Sequence, residues 1–572
     1  MATTLAAQAH GADANAQFRA LADQYFEQST FAYSPTSGTA AGLHQYDSKL
    51  ENYSRATVDA QIVTLDGFEK KFDELPTFQM DSSTQADREM VLDDIRSRLL
   101  TLQVIKPWEK NPDNYSSGIA SSAFSLMERN FAPADDRLRS LIAREKQMPA
   151  VFTAARQNLR NPPRIYTEIA LEQLPGLISF FETDVPEAFK DAKDPGTIAE
   201  FQKTNAQVIA ALQSYESWLK QDLLPRSNGD FRLGADTFSK KLEYDEMVDT
   251  PLPKLLEIAY ADMHKNQAEF ARVAKEVDAS KTPQEVLAEL ATIHPAPDHL
   301  LQSFRDTFDS LISFIRTNHI ITIPSDVRPT LEETPPFMRA TTQASMDTPG
   351  PFETHSTTAY FNVTLPEKNW TAEHIAEHMA AFNVGTVIST SVHEAYPGHY
   401  VQFLWVNTAP MSKVRKLITA NTNVEGWAHY CEQMMLDAGY GQPGAGAKDE
   451  REAHLIRLGQ LQDALLRDAR FVVGIKMHTG EMTFDQAVDF FVKEGYQSRS
   501  VGLVETKRGT SDPTYLYYTL GKLEIMKLRS DLEKKEGASF SLQRFHDDFM
   551  RQGGAPIKIV RQALLGDNSP TL

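Results

Sequence analysis

Residues 389–400 read Ser-Thr-Ser-Val-His-Glu-Ala-Tyr-Pro-Gly-His-Tyr, so two histidines, His393 and His399, bracket the carboxylate of Glu394. Neutral imidazoles are good zinc ligands, and a glutamate beside the first histidine can accept a proton from the water that attacks a substrate. This is the composition of a hydrolytic metal site. We therefore interpret the rest of the chain as the scaffold that brings further ligands to this stretch.

The spacing of these two histidines is unusual for a zinc-binding helix. Such helices place two histidines four residues apart and so on one face, whereas His393 and His399 are six residues apart. On an ideal helix, six steps of about 100° put the second ring roughly 120° from the first. Pro397 cannot donate a hydrogen bond to the carbonyl of His393, and Gly398 tolerates unusual backbone angles. The sequence therefore predicts a kink or π-bulge between the histidines.

Composition and charge exclude several classes of function. The 572-residue chain is 41% hydrophobic and 24% charged, which is typical of a soluble globular protein. Its net charge of −19 disfavours nucleic acid and anionic lipid as partners. The apolar run Ala380–Val392 is too short and polar to cross a bilayer, so no membrane insertion is expected.

The sequence contains no positive signal for a cellular compartment, so the cytoplasm is the default expectation. Residues 1–16 lack the basic and apolar regions of a signal peptide, and the single cysteine, Cys431, forms no intrachain disulfide. We expect a cytoplasmic protein, or a periplasmic or secreted one if a leader has been removed. Nothing in the sequence indicates the oligomeric state.

The hydrophobic pattern predicts a mainly α fold: a large multi-helix body with a minor β-sheet near the metal-binding helix. We divide the chain into a flexible N-terminus (1–15), a helical scaffold lobe (16–330), a short β and loop segment lining a cleft (331–370) and a helical metal-binding catalytic lobe (371–572). Long helices are predicted at 83–104, 167–183, 195–223, 384–405, 413–438 and 513–536. Loops or irregular structure are expected at 33–54 and 106–117, and a strand at Thr357–Val363. A turn or short strand is expected at 226–242, which contains the glycine-rich motif Gly-Asp-Phe-Arg-Leu-Gly at 229–234.

A third zinc ligand is expected from the segment Asn423–Glu432. Glu425, His429 and Glu432 follow i, i+4, i+7 spacing and share one helical face. Glu425 could bind the metal while His429 or Glu432 steadies the ligands. The same three residues would equally fit a buried polar network or a solvated stripe.

A rival metal pair lies upstream. His374-Ile375-Ala376-Glu377-His378 matches the His-x-x-Glu-His pattern of inverted zinc peptidases, and its histidines have the regular i, i+4 spacing. Polar helix faces reach such a short match readily. The alternative interpretation is therefore a solvated helix face.

Two motifs give the chain a resemblance to the bacterial "domain of unknown function 885" (DUF885) family, which looks like a distant zincin-like branch of the zinc peptidases. The family's His-Glu-Ala-x-Pro-Gly-His is similar to residues 393–399, and its Glu-Gly-Trp-Ala-x-Tyr-x-Glu to residues 425–432. Weaker similarity runs from about residue 16 to 566 and includes Tyr-x-x-Gly-Lys-Leu at 518–523. The resemblance implies that His393, His399 and Glu425 bind one metal ion per chain and that Glu394 is the general base.

The chain departs from the family pattern at two places. Tyr400 stands where many members have a further histidine, so the resemblance assigns coordination to His399. Residues 512–517 read Asp-Pro-Thr-Tyr-Leu-Tyr where Pro-Gly-Gln-x-x-Ser is more usual. Substrate contacts in this second region do not carry over from the family.

The leading hypothesis is zinc-dependent hydrolysis of a peptide or other small amide, with Glu394 as general base. Tyr518 matches the family position of a phenol that stabilises the oxyanion. Its neighbours Tyr515 and Tyr517 could contact substrate or simply pack. The alternatives are a metal-dependent hydrolase of a non-peptide amide or ester, and a non-catalytic helical binding protein.

Two further features bear on substrate binding. Arg508 or Lys507 could receive a substrate carboxylate, as in an exopeptidase, or form an ordinary salt bridge with a residue such as Glu505. The strand Thr357–Val363 could pair with an extended peptide by β-addition, or be an ordinary short edge strand.

Overall fold

Helices dominate the chain, because its apolar residues recur at intervals of three and four over most of its length. A computed structural model describes residues 2–335, 338–339, 342–368 and 370–572. The chain folds into two compact units, one comprising 1–231, 336–340 and 349–358, and the other 232–335, 341–348 and 359–572. The predicted mainly α fold is confirmed.

The described residues of the first unit form helices joined by turns and loops. Its helices are α1 (Ala2–Tyr25), α2 (Phe31–Tyr33), α3 (Pro35–Ala40), α4 (Arg55–Asp73), α5 (Ser82–Leu100), α6 (Pro107–Lys110), α7 (Asp113–Met127), α8 (Ala134–Glu145), α9 (Met148–Asn158), α10 (Arg164–Ser179), α11 (Val185–Ala188) and α12 (Pro195–Trp218). Tyr115, Phe152, Phe180 and Tyr215 belong to its apolar core. Residues 2–15 lie within α1, and their flexibility stays a prediction.

Five-residue π-helical segments continue several of these helices. They span Phe26–Thr30, Thr101–Ile105, Phe180–Asp184 and Leu219–Leu223. Each of the last three segments lies within or overlaps a helix predicted from the sequence, at 83–104, 167–183 and 195–223. The hydrophobic pattern thus predicted that these residues are helical. It could not predict that the last turn has the wider i to i+5 hydrogen bonding of a π-helix.

Three predictions of irregular structure were wrong in part. The expected loop at 33–54 contains α3, the expected irregular stretch at 106–117 contains α6 and the start of α7, and the expected turn or strand at 226–242 runs into helix α13 (Ala235–Glu246). Gly234, which precedes α13, has φ +76°. The glycine-rich motif there marks only the turn before a helix.

The second unit carries all the candidate site residues. Its helices are α13, α14 (Leu252–Val277), α15 (Pro283–Leu290), α16 (Leu300–Thr317), α17 (Ala372–Ala380), α18 (Val384–Glu394), α19 (His399–Thr408), α20 (Lys413–Leu417), α21 (Asn421–Asp437), α22 (Glu450–Thr479), α23 (Phe484–Lys493), α24 (Arg499–Ser511), α25 (Tyr517–Glu536), α26 (Leu542–Met550) and α27 (Ile557–Leu565). Helix α22 packs against α14, α18, α23, α24 and α25. The predicted helix at 413–438 is divided into α20 and α21.

A small three-stranded sheet lies beside the helix that carries His393. Its strands β1 (Thr330–Glu333), β2 (Ala344–Asp347) and β3 (Tyr360–Val363) have the order β1-β3-β2, with β3 parallel to β1 and antiparallel to β2. Strand β2 packs on α18. Because β3 is the central strand, both interpretations of Thr357–Val363, as an edge strand and as a site of β-addition, were wrong. Two-residue strands β4 (Gln442–Pro443) and β5 (Gly446–Ala447) form a separate pair.

The helices around the site approach one another at glycines. A Cβ atom on Gly521 of α25 would lie 1.9 Å from the carbonyl oxygen of Thr422 on α21, and a Cβ atom on Gly385 of α18 would lie 2.6 Å from the carbonyl oxygen of Leu455 on α22. No larger residue fits these contacts without moving a helix. The backbones of α18, α21, α22 and α25 therefore hold the site residues at fixed separations.

Candidate metal centre

The chain leaves the helical path between the two histidines of the 389–400 stretch. Helix α18 ends at Glu394 and α19 begins at His399, with a cis peptide bond between Tyr396 and Pro397. The prediction of one distorted helix over 384–405 was therefore wrong in form. The cause that it named, a proline and a glycine between the histidines, lies at the break.

Gly398 fits against the end of α18. Its N–H donates to the carbonyl of Val392 over 2.9 Å, and a Cβ atom there would lie 1.8 Å from the carbonyl oxygen of His393. Any larger residue would overlap this carbonyl. The glycine allows α19 to start directly beside the last turn of α18, so that His399 returns toward His393.

The two imidazoles and a carboxylate from α21 converge. His393 Nε2 lies 3.4 Å and His399 Nε2 lies 3.3 Å from Oε2 of Glu425. The ligand atoms of the three residues all lie within 4.8 Å of one another. Two ligands about 2.0–2.2 Å from a tetrahedral zinc ion are roughly 3.4 Å apart. The donor set and these two separations fit a divalent ion such as zinc.

Burial and charge prepare these ligands for a cation. His393 and His399 are 5% and 8% exposed. Burial alone would raise the pKa of Glu425, but the charge of His399 and the contact with His393 hold it well below its usual range. Burial opposes protonation of His393, yet its contacts with Glu425 and Glu432 raise its pKa to about 9. A proton on His393 thus balances part of the negative charge of Glu425 and Glu432.

A second carboxylate orients the first ligand. Nδ1 of His393 lies 2.7 Å from Oε1 of Glu432, whose other oxygen lies 3.2 Å from Nδ1 of His429. A carboxylate on the far nitrogen of a metal-binding histidine fixes the ring and increases its basicity. His429 and Glu432 are buried, and burial lowers the pKa of His429 to about 3. These two residues form the buried polar network behind His393, while Glu425 faces the histidines.

Glu394 is buried directly beside the first histidine of the candidate site. It is the last residue of α18, directly after His393, and is 8% exposed. Within the part of the chain that the structure describes, its carboxylate makes no hydrogen bond or ion pair. The group is therefore not consumed by a structural contact.

Tyr518 contacts the candidate ligand set directly. Its hydroxyl donates to Oε1 of Glu425 over 3.0 Å, and its ring centroid lies 6.3 Å from that of His393. The sequence predicted a helper for an oxyanion. The observed contact is with a candidate metal ligand, whose other oxygen faces the two imidazoles.

The neighbours of Tyr518 separate into two environments. Tyr517 donates to Asp512 over 2.9 Å, and Arg508 donates to Asp512 and to the hydroxyl of Tyr518, both over 3.2 Å. Arg508 thus forms a salt bridge, with Asp512 rather than with Glu505. Tyr515 is fully buried, and its hydroxyl has no hydrogen-bonding partner among the described residues. This tyrosine is a packing residue.

Sequence reasoning missed two arginines of α22. Arg467 lies 3.0 Å from Glu432 and its guanidinium is 5.6 Å from the ring centre of Tyr518. Arg470 lies 4.8 Å from that ring centre and forms two hydrogen bonds with Glu505. Their i, i+3 spacing places them on one face of a helix, but only the fold shows that this face meets α21 and α25.

The Tyr-x-x-Gly-Lys-Leu motif has a structural basis. Gly521 is the close contact between α25 and α21, and Lys522 forms a buried ion pair of 2.8 Å with Asp262 on α14. Thr519 donates to Asp468 on α22 over 3.0 Å. These contacts fix the helix that carries Tyr518 against three others.

The rival pair on α17 does not form a comparable cluster. Nε2 of His378 donates to the carbonyl of Thr364 over 2.8 Å, and the ring of His374 stacks on Trp370 at 3.9 Å. Among the described residues, the one group of three histidine, cysteine or acidic side chains able to hold a metal ion is His393, His399 and Glu425. His374 and His378 are engaged in a backbone contact and an aromatic stack.

Comparison with known proteins identifies the family. Residues 35–564 match the family model described as "Bacterial protein of unknown function (DUF885)". Among curated proteins, none matches this chain. None of the described helices is long and apolar enough to span a membrane.

Two solved structures share the fold over nearly the whole chain. One, "a putative lipoprotein of unknown function from Shewanella oneidensis", has a TM-score of 0.77 and 26% identity, and the match covers 96% of this chain and 99% of that one. The other, "the putative lipoprotein from Colwellia psychrerythraea", has a TM-score of 0.80 and 17% identity, with 97% and 99% covered. The chain belongs to the DUF885 family of bacterial proteins of unknown function.

Proposed function

We propose that this protein is a zinc-dependent hydrolase of peptide bonds, related in its chemistry to the zincin-like metallopeptidases. The observation that supports the proposal most directly is the approach of His393, His399 and Glu425 from three different helices, at separations that suit one divalent ion. A carboxylate-supported histidine and an unengaged glutamate beside it complete the set that metal-assisted hydrolysis requires.

The residues of the chain would divide the reaction between them. A zinc ion bound here would polarise the substrate carbonyl and make water a stronger acid. Glu394 would accept the proton of the attacking water and deliver it to the departing amine. Glu432 would keep the ring of His393 oriented, and Tyr518 would hold the carboxylate of Glu425 through Oε1.

The sheet beside α18 offers a place for an extended substrate. Strand β2 pairs on one side with β3 and, within the described residues, with no other strand. The backbone groups of residues 344–346 on the other side would pair with a peptide in an extended conformation. This assigns to β2 the role that the sequence suggested for Thr357–Val363, and it favours a peptide over a small non-peptide ester.

Replacing Glu394 with Gln tests the proposal. The base would be removed while the ligands stay, so we expect turnover of a peptide library, read by mass spectrometry, to fall by about 10² to 10⁴-fold. Metal content should remain near that of the unmodified protein. Undiminished peptide cleavage by Glu394→Gln would refute the assignment of the base, and cleavage of esters alone would favour a non-peptide hydrolase.

A purified protein that holds no zinc, manganese or iron, and gains no hydrolytic activity from any of them, would favour the non-catalytic binding protein. A matched control is Glu377→Gln on α17, which changes an exposed glutamate between the rival histidines. It should leave both cleavage and metal content unchanged.

We also propose a location outside the cytoplasm. The support is the 26% identical relative from Shewanella oneidensis, which is described as "a putative lipoprotein of unknown function" and is matched over 99% of its length. Cell fractionation with an antibody against this chain tests the location, and recovery in the cytoplasmic fraction alone would contradict it.

A further inference from the structure

The hydroxyl of Tyr518 lies between a donor and an acceptor. Nη2 of Arg508 lies 3.2 Å from this oxygen, and the oxygen lies 3.0 Å from Oε1 of Glu425. A guanidinium can only donate hydrogen bonds, and a phenol has a single hydrogen to donate. The direction of both bonds is therefore fixed: Arg508 donates to Tyr518, and the hydrogen of Tyr518 points at Glu425.

Arg508 is itself fixed at its other side. Its Nε and Nη2 atoms lie 3.3 and 3.2 Å from Oδ2 of Asp512, the residue that directly follows α24. Tyr517 donates to the same oxygen over 2.9 Å. The guanidinium thus spans Asp512 and Tyr518, a two-point contact that the compact ammonium group of a lysine does not reproduce.

The contacts distinguish two roles for this arginine. A guanidinium that receives a substrate carboxylate would present donors to the substrate. Here its contacts reach one structural carboxylate, the hydroxyl of Tyr517 at 3.5 Å and the hydroxyl of Tyr518, which touches a candidate metal ligand. Arg508 is 30% exposed, the same fraction as Asp512. The observed pairing favours support of Tyr518 over direct capture of substrate.

We infer that Arg508 is a positioning residue that acts through Tyr518 on Glu425, fixing which carboxylate oxygen faces His393 and His399. The inference rests on the proposed function only where turnover is concerned. For zinc binding it rests on the contacts alone. Asp512 is the anchor of this chain of hydrogen bonds, so its removal should have the same consequence in weaker form.

A double-mutant cycle tests the inference. Zinc affinity is measured by competition with a chelator for the unmodified protein, Arg508→Gln, Tyr518→Phe and the double variant. Loss of a contact that orients a metal ligand typically weakens affinity by about 10-fold or more. Because Arg508 acts through the hydroxyl that Tyr518→Phe removes, we expect each single variant to lose about 10-fold and the double variant to lose no more than either.

Arg499→Gln is the matched control. Arg499 lies on the same helix and pairs with Asp489 at the surface, where its side chain is 74% exposed. This variant should keep the zinc affinity of the unmodified protein. Thermal unfolding of the four metal-free proteins of the cycle checks that they are folded. If Tyr518→Phe is not, Asp512→Asn takes its place in the cycle: it should lose less than 10-fold, and the double variant should lose no more than Arg508→Gln alone.

Two results would overturn the inference. Independent, additive losses in the double variant would show that Arg508 does not act through Tyr518. A rise in KM for peptides with a free C-terminal carboxylate, with unchanged KM for the amidated peptides and unchanged zinc affinity, would instead make Arg508 a substrate-binding residue. The losses of zinc affinity can be non-additive while neither the unmodified protein nor any variant cleaves a peptide. In that case the inference stands and the proposed function fails.

Discussion

His374 and His378 are four residues apart on α17, whereas His393 and His399 are six residues apart and belong to different helices. The regular pair has the spacing of a zinc helix, yet its rings contact Trp370 and the carbonyl of Thr364. The irregular pair meets a carboxylate from a third helix. Spacing along one helix is thus a weaker guide to the convergence of candidate metal ligands than a break that turns the chain back toward an acidic helix.

The largest expected difference between the two pairs is in metal content. Exchanging both His393 and His399 for Ala removes two of three ligands, so we expect elemental analysis to fall from about one ion per chain to near zero. The corresponding exchange of His374 and His378 should leave the metal content unchanged. Loss of the ion from this second variant would reverse the assignment.

The next effect concerns the break itself. Gly398→Ala places a Cβ atom 1.8 Å from the carbonyl oxygen of His393. We expect the free energy of unfolding to fall by about 3 kcal/mol, a large value for overpacking, together with weaker metal binding. The control is Gly67→Ala in α4, where no atom lies within 4 Å of the added methyl group. This change should stabilise the helix by about 0.5–1 kcal/mol, as measured by denaturant unfolding.

A smaller effect is expected from the residue behind the first ligand. Glu432→Gln weakens the contact with Nδ1 of His393, so zinc affinity should fall by about 10 to 100-fold in chelator competition. Among the described residues, the rings of the regular pair contact the carbonyl of Thr364 and the ring of Trp370 rather than a carboxylate, and Glu377 between them is exposed. An unchanged affinity in Glu432→Gln would show that ring orientation does not depend on this carboxylate.

The smallest expected effect is a difference in pKa between one histidine of each pair, His393 and His378. In the metal-free protein, carboxylate contacts overcome burial and raise the pKa of His393 from 6.5 to about 9, whereas burial lowers the pKa of His378. Protonation of His393 therefore stabilises the fold fully below pH 6.5, and this contribution is lost as the pH rises through about 9.

The effect of His378 on stability has the opposite sign, because burial favours its neutral ring. The stability that the neutral ring contributes is present above pH 6.5, the ordinary pKa of histidine, and is lost as the pH falls below it. NMR titration of labelled histidines checks both directions. A His393 signal that titrates below that of His378 would contradict the electrostatic difference between the pairs.

Much of the site could be predicted from the sequence because its motifs lie in short segments. His393, His399, Glu425 and Glu432 stand in two strings of seven and eight residues, and the structure brings these strings together. Glu394 was found with them, although its role stays a prediction. Arg467, Arg470 and Asp512 were missed, since their importance depends on which helix faces meet.

The fold could be predicted from the sequence to a similar extent. Periodicity indicated most long helices, because each buries one apolar stripe. It could not indicate that β3 lies between two strands, since pairing partners are distant in sequence. Nor could it show that a predicted helix would break at Pro397, where a proline is compatible with either a kink or an end.

Metal binding at Oε2 of Glu425, as proposed, would add to the stability of the protein. This buried oxygen accepts no hydrogen bond from the described residues and faces two imidazoles that repel each other when both are protonated. An ion that binds the folded chain and not the unfolded one would add about 4 kcal/mol of stability at a free concentration 1,000 times its Kd, by the usual linkage relation of about RT ln([L]/Kd). The ion would then act as part of the folded core of the second unit, and the supply of metal would set how long the protein survives heat and proteolysis.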